Sequence, residues 1–230
     1  MKCDVILALD VPTRDDARAV LDRMGPDLRW VKIGLQLFTR HGPELVEEVA
    51  DRGYSVFLDL KLHDIPNTVA KAVASLGSLP VRLLTVHASG GSEMLRRAEE
   101  ARQTHAPELK LLAVTVLTSL DRAGLKEVGI EAAPPDQVRR LARLAAACGV
   151  GGLVCSPLET ADLRDELGAG VTLVTPGIRL PGDSADEQKR ITTPAEAARA
   201  GADFIVMGRP LLRAEKPAEV LAAVREQLAS

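Results

Sequence analysis

Asp59, Lys61 and Asp64 stand within one short stretch, FLDLKLHDIPNTV (residues 57–69), that begins as an apolar run. Two carboxylates around an ammonium can do chemistry: a fixed cation steadies negative charge on a reacting carbon and can then deliver a proton. Side chains two apart on a strand share a face, so Asp59 and Lys61 are expected to project together. If that face is enclosed, each charge needs partners, because an isolated buried charge costs several kcal/mol. Lys32, in the run VKIGL, would end an adjacent strand and could complete an alternating Lys–Asp–Lys–Asp array with Asp64. A purely structural ion-pair ring is the alternative, although buried ion pairs stabilise poorly compared with apolar residues. HDIPNTV also has the marks of a helix start, with Pro66 in the first turn. Asn67 is read there as a cap, and Asp64 could serve as cap or as array member.

A second chemical motif is VMGRP (206–210), where Gly208 would allow close backbone approach and Arg209 offers a planar fork of donors for a phosphate. Arg209 could equally be a surface salt-bridge partner. The polar stretch RLPGDSADEQKR (179–190) could be a surface loop, or a lid that carries Arg179 or Gln188 onto an anionic ligand. His63, His87 and His105 lack metal-ligand spacing, so no metal site is expected.

The elements that must position these residues alternate regularly. Strand candidates are residues 5–10, 31–35, 56–61, 83–88, 111–117, 152–156, 172–178 and 204–208, near-continuous apolar runs suited to parallel strands covered on both faces. Amphipathic segments separate them, including TRDDARAVLDRM with Thr13 as cap and GPELVEEVADRG bounded by Pro43 and Gly53. Eight strand–helix units without a linker predict an α/β chain forming one (β/α)8 TIM barrel over residues 1–230, rather than an open doubly wound sheet. Polar residues gather at the strands' C-terminal ends: Asp10, Lys32, Asp59, Lys61, His87, Thr118, Ser156 and Arg209. That is the end at which such barrels carry their active sites.

Composition excludes several partners. A net charge of −3 provides no basic field for nucleic acid or anionic lipid, and the five aromatics do not make a base-stacking platform. Cys3, Cys148 and Cys155 read as free, and Cys3 and Cys155 as small buried residues, which suggests a reducing cytoplasm. The apolar stretch in MKCDVILALD is too short for a secretory signal, and no later run approaches a membrane span. A soluble cytoplasmic protein is expected.

The segments LALDVP, VKIGLQLF, FLDLKLHDIPNTV, TVHASGG, AVTVLTSL, VTPGIR and VMGRP resemble, in order and spacing, the orotidine 5′-phosphate decarboxylase family. The resemblance implies decarboxylation of orotidine 5′-monophosphate to uridine 5′-monophosphate, the last step of de novo pyrimidine synthesis. It implies a homodimer with composite sites and neither cofactor nor metal. By position, Asp10 and Lys32 would contact ribose hydroxyls and Asp59 and Lys61 would sit at the reacting carbon. Asp64 and Thr68 would come from the opposite subunit, and Thr118 would lie at the pyrimidine. Gln188, Arg209 and the Gly208 backbone would hold phosphate, with Arg179 nearby. A sister group of Mg-dependent sugar-phosphate decarboxylases and synthases shares Asp-x-Lys-x-x-Asp but carries a metal-binding glutamate where this sequence has Lys32. A non-catalytic nucleotide-phosphate binder could dispense with Lys61, which is present here.

Overall fold

The apolar runs form eight strands: β1 (Asp4–Ala8), β2 (Trp30–Gly34), β3 (Ser55–Leu62), β4 (Val81–His87), β5 (Lys110–Val114), β6 (Gly152–Val154), β7 (Thr172–Thr175) and β8 (Phe204–Met207). In this computed structural model, which describes residues 3–180 and 192–229, they pair in parallel and in chain order into a closed barrel. The fold is therefore the (β/α)8 TIM barrel. Closure removes every exposed sheet edge. The helices are α1 (Arg14–Asp22), α2 (Leu35–Asp51), α3 (Pro66–Ser75), α4 (Gly91–His105), α5 (Arg122–Glu127), α6 (Pro134–Ala147), α7 (Pro157–Leu167), α8 (Pro194–Arg199), α9 (Arg209–Leu212) and α10 (Pro217–Ala229).

Strand periodicity divides the core in two. Ile6, Ala8, Phe57, Leu83, Leu112, Val174 and Val206 form an inner cluster, while alternate residues such as Val5, Leu7 and Leu58 join the larger cluster beneath the helices. Trp30 and Phe204, each the first residue of its strand, meet edge to face at 5.0 Å and fill the barrel's N-terminal end. Interior positions towards the other end are then left for polar side chains. Lys32 lies in register between Ala8 and Phe57, and Asp59 lies beside Gly34.

Several local expectations hold and others need correction. Thr13 caps α1 by accepting a hydrogen bond from the Asp16 N–H at 3.1 Å. The three cysteines are free and buried. β1, β5, β6 and β7 stop two or three residues before their apolar runs do, because the chain leaves the ladder to build the barrel mouth. Leu35, expected in a strand, instead opens α2, which breaks at Gly42 (φ 61°, ψ −154°) before Pro43 restarts it. α5 and α9 were not anticipated; four to six residues are too short for a helical period to show. Neither Asp64 nor Asn67 caps α3: its N-cap is Ile65 without a side-chain bond, and Asn67 lies inside the helix behind Pro66.

α3 carries the rim on which Asp64 and Thr68 stand, and it packs on α4. Just past its end, a Cβ added at Gly77 would lie 2.1 Å from the His105 carbonyl oxygen. Main chain cannot give way as a flexible side chain can. Gly77→Ala is therefore expected to lower the unfolding free energy by about 1–3 kcal/mol, measured by urea titration. Unchanged stability would show that the two helices can separate without cost.

Candidate active site

Four charged side chains form a continuous chain at the C-terminal ends of β1 to β3. Lys32 Nζ lies 3.2 Å from Asp10 Oδ1 and 3.4 Å from Asp59 Oδ2. Lys61 Nζ donates to the other oxygen, Asp59 Oδ1, at 2.7 Å. Lys32 is only 8% exposed, so its ammonium depends on the two carboxylates it bridges. Burial would raise the Asp59 carboxyl, but Lys32, Lys61 and hydrogen bonds from Lys61 and Thr85 outweigh it and hold the group below the ordinary carboxylate range. Burial would likewise lower Lys32, and Asp59 and Asp10 together hold it above the ordinary lysine range. Both shifts favour the charged forms of Asp59 and Lys32.

Lys61 reaches this position by an unexpected route. Simple alternation was expected to put it on the face of Asp59, yet the β3–β4 register slips between Leu58↔Leu84 and Leu62↔Val86. β3 spends four residues where β4 spends two, and Lys61 takes up the excess at φ 51°. It is the one non-glycine residue with positive φ among the described residues. That conformation costs about 1–2 kcal/mol for a side-chain-bearing residue. Thr85, buried on β4, spans the bulge: it accepts the Lys61 backbone N–H at 2.9 Å and donates its hydroxyl to Asp59 Oδ1 at 3.0 Å.

The array borders a cavity of about 680 Å³ at the barrel mouth, a size suited to a small-molecule ligand. Asp10, Lys32, Asp59 and Lys61 line one side; Arg179, Gly208, Arg209 and Arg213, following β7 and β8, line another. Between them lie apolar walls, among them Phe57, Val116, Val154 and Val174, with Thr118 also on the lining. Such a cavity suits an elongated ligand with an anionic end held by arginines and a flat, weakly polar part against the apolar wall. Cys155 also borders it, but burial pushes its thiol up to about 12, so it offers no thiolate nucleophile.

Other expected residues fall elsewhere. Asp64 and Thr68 are exposed on the rim and do not line the cavity of their own chain. Asp64 Oδ1 accepts the Ile65 N–H at 2.7 Å. Gln188 lies outside the described residues, as does most of the expected lid; Ile178 and Thr192, on either side of that segment, are bridged. Ser156 serves structure, capping α7 by accepting the Leu158 N–H at 3.2 Å. His87 sits 5.3 Å from His63, centroid to centroid, closer than their sequence separation suggested. Among the described residues no three His, Cys, Asp or Glu converge as a metal would require.

Three lining or supporting residues were missed from the sequence. Arg213 follows Arg209 by four, a helical spacing that places both on one face. Gly34 directly follows the Lys32 strand, and a Cβ there would come within 3.2 Å of both Asp10 Oδ1 and Lys32 Nζ. Thr85 carried no signal, since threonine is ordinary in a strand. The space Gly208 leaves is not demanded by the protein's own packing: an added Cβ would make only ordinary contact with Ala8, at 3.5 Å.

The fold and cavity together define a class: a (β/α)8 barrel with an ionic array and an arginine-lined end facing one cavity. A model of the Orotidine 5′-phosphate decarboxylase / HUMPS family matches residues 4–224. The orotidine 5′-phosphate decarboxylase of Opitutus terrae is 57% identical over 229 residues, covering 100% of this chain and 98% of that protein. That of Nitrosospira multiformis is 47% identical over 224 residues, covering 97% and 93%. The crystal structure of the Lactobacillus acidophilus orotidine 5′-phosphate decarboxylase superposes with a TM-score of 0.88 at 36% identity, covering 99% of this chain and 100% of the other. The chain belongs to the orotidine 5′-phosphate decarboxylase / HUMPS family and is an enzyme.

The depressed Asp59 carboxyl gives a pH test. A group titrating lower when folded stabilises above its unfolded value and loses that contribution as pH falls through the folded one. The stability difference between wild type and Asp59→Asn should hold constant from neutrality to about pH 4 and shrink only below it. A difference that shrinks between pH 7 and 5 would mean that burial, not the two lysines, governs Asp59.

Proposed function

We propose that this chain decarboxylates orotidine 5′-monophosphate to uridine 5′-monophosphate without metal or cofactor, the last step of de novo pyrimidine synthesis. The observation that carries the reading is the Lys61 ammonium, held 2.7 Å from a largely enclosed carboxylate at the edge of an apolar-walled cavity. In the reaction, the bond between C6 and the carboxylate breaks and CO₂ leaves. The electron pair stays on C6 in an orbital that the ring π-system cannot delocalise. Lys61 stabilises that pair by position, then transfers a proton to C6 and recovers one from solvent. One proton is consumed for each CO₂ released.

Asp59 faces the substrate carboxylate in this reading. Two such charges about 4 Å apart repel by roughly 4 kcal/mol at an effective dielectric near 20. Departure of CO₂ relieves that stress, and the phosphate grip, remote from C6, offsets it in the bound state. Arg209, the Gly208 backbone, Arg179 and Gln188 form that grip; Asp10 and Lys32 take the ribose hydroxyls; Thr118 meets the pyrimidine. Lys32 also argues against the Mg-dependent sister chemistry, because an ammonium there would repel the cation that a glutamate would bind.

Asp64 and Thr68 serve the site of a second subunit in a homodimer. Their exposure on the rim supports this, as do Ile65 and Leu35, 67% and 52% exposed at the same end of the barrel. A partner would cover those apolar side chains. No helix among the described residues is long and apolar enough to cross a membrane, in keeping with a cytoplasmic enzyme.

Chelator-treated wild type is expected to turn over orotidine monophosphate, whereas Lys61→Ala should lose about 10³-fold or more in kcat while still binding uridine monophosphate. Near-normal kcat in that variant, or wild-type activity that requires added Mg²⁺, would contradict the reading. Mixing Lys61→Ala with Asp64→Ala should restore about a quarter of wild-type activity, since half of randomly paired dimers carry one intact site of two. No recovery despite demonstrated subunit exchange would place Asp64 outside the partner's site.

A further inference from the structure

A hydroxyl inside a barrel must find partners, and Thr85, fully buried in the middle of β4, finds both of its own among the charged residues of the array. Its proton goes to Asp59 Oδ1 at 3.0 Å, and its lone pair takes the Lys61 backbone N–H at 2.9 Å. The Lys61 ammonium returns to the same Asp59 oxygen at 2.7 Å. Thr85, Asp59 and Lys61 thus close a hydrogen-bonded ring. It clamps Lys61 at both ends, at the one non-glycine residue described with a left-handed backbone. Glycine would relieve the backbone at that position but would remove the ammonium.

We propose that Thr85 is a positioning residue for this enzyme, its hydroxyl fixing both the β3 bulge and the Asp59 carboxylate so that the Lys61 ammonium arrives at the reacting carbon. The proposal rests on the decarboxylase reading above. Without the hydroxyl, no other hydrogen bond from a β4 side chain among the described residues ties the Lys61 main chain to Asp59, and the bulge is free to relax towards a regular strand. The carboxylate keeps its two ammonium partners, so the array persists, but with the Lys61 tip displaced. A β-branched residue suits this task because its χ1 is stiff. Displacement of a reacting group by about 1 Å costs on the order of 10²-fold in rate.

The test compares Thr85→Val, which keeps shape and loses the hydroxyl, with Thr85→Ser, which keeps the hydroxyl. Thr85→Val is expected to lower kcat about 10- to 100-fold with KM within about threefold of wild type, and Thr85→Ser to return kcat to within about threefold. A purely structural threonine would instead lower the unfolding midpoint and leave kcat of the folded fraction alone. If Thr85→Val does not fold, Thr85→Cys, a weaker donor, is compared with Thr85→Ser, and kcat about tenfold lower in the cysteine variant is the supporting result. Unchanged kcat in folded Thr85→Val, equal kcat in the Ser and Cys pair, or a serine variant as impaired as the valine one would each overturn the proposal while leaving the decarboxylase reading intact. A wild-type chain inactive on orotidine monophosphate would overturn that reading, and the proposal with it.

Discussion

A carboxylate facing the inside of a barrel is tolerable only when cations are fixed beside it, and Asp59 imposes that condition on everything around it. Each of its oxygens engages a different ammonium, Lys32 on one side and Lys61 on the other. Lys32 is itself buried and leans on Asp10 as well, so the charges are coupled in a line from β1 to β3. Removing one member leaves a neighbour uncompensated, which is costlier than never having built the pair. The adjacent register positions follow suit: Gly34, beside Asp59, keeps the space that Asp10 and Lys32 occupy. An arrangement so demanding is a poor way to gain stability and a good way to hold an ammonium still.

Lys61 on β3 and the arginines that follow β7 and β8 border one cavity from different strands of the barrel. In the proposed reading, a phosphate bound on the β7–β8 side holds the nucleotide without touching the atoms that react, and the energy of that contact is available to hold the other end against repulsion. Apolar side chains such as Phe57, Val154 and Val174 on the lining lower the local dielectric and so strengthen the charges beside them. Preorganisation here is geometric: buried lysine, buried threonine and a bulged strand fix the charges before any ligand arrives.

Much of this was legible in the sequence because it is periodic or compositional. Eight apolar runs separated by capped amphipathic segments imply the barrel, and polar residues at strand ends imply where its mouth lies. Asp59, Lys61, Lys32 and Asp10 stood out because charges in apolar runs need a reason. What stayed hidden depends on register and on exceptions to periodicity. The two-residue rule gave the right face for Lys61 for the wrong reason, since a register slip between β3 and β4 cannot be seen in either strand alone. Thr85 matters through a partner 24 residues away, and threonine in a strand attracts no notice. The capping expectation for Asn67 failed because Pro66 takes the first helical position and leaves Ile65 as the cap. Asp64 and Thr68 lie beyond the reach of a single chain's geometry: they stand on a rim, and a rim acquires meaning only from what covers it.

The most direct measurement is the crystal structure of the enzyme with uridine monophosphate bound. The account predicts the Lys61 amine within hydrogen-bonding distance of C6, still joined to Asp59, with the phosphate against Arg209. A Lys61 side chain turned into bulk water, or a pyrimidine seated away from it, would contradict the account at its centre.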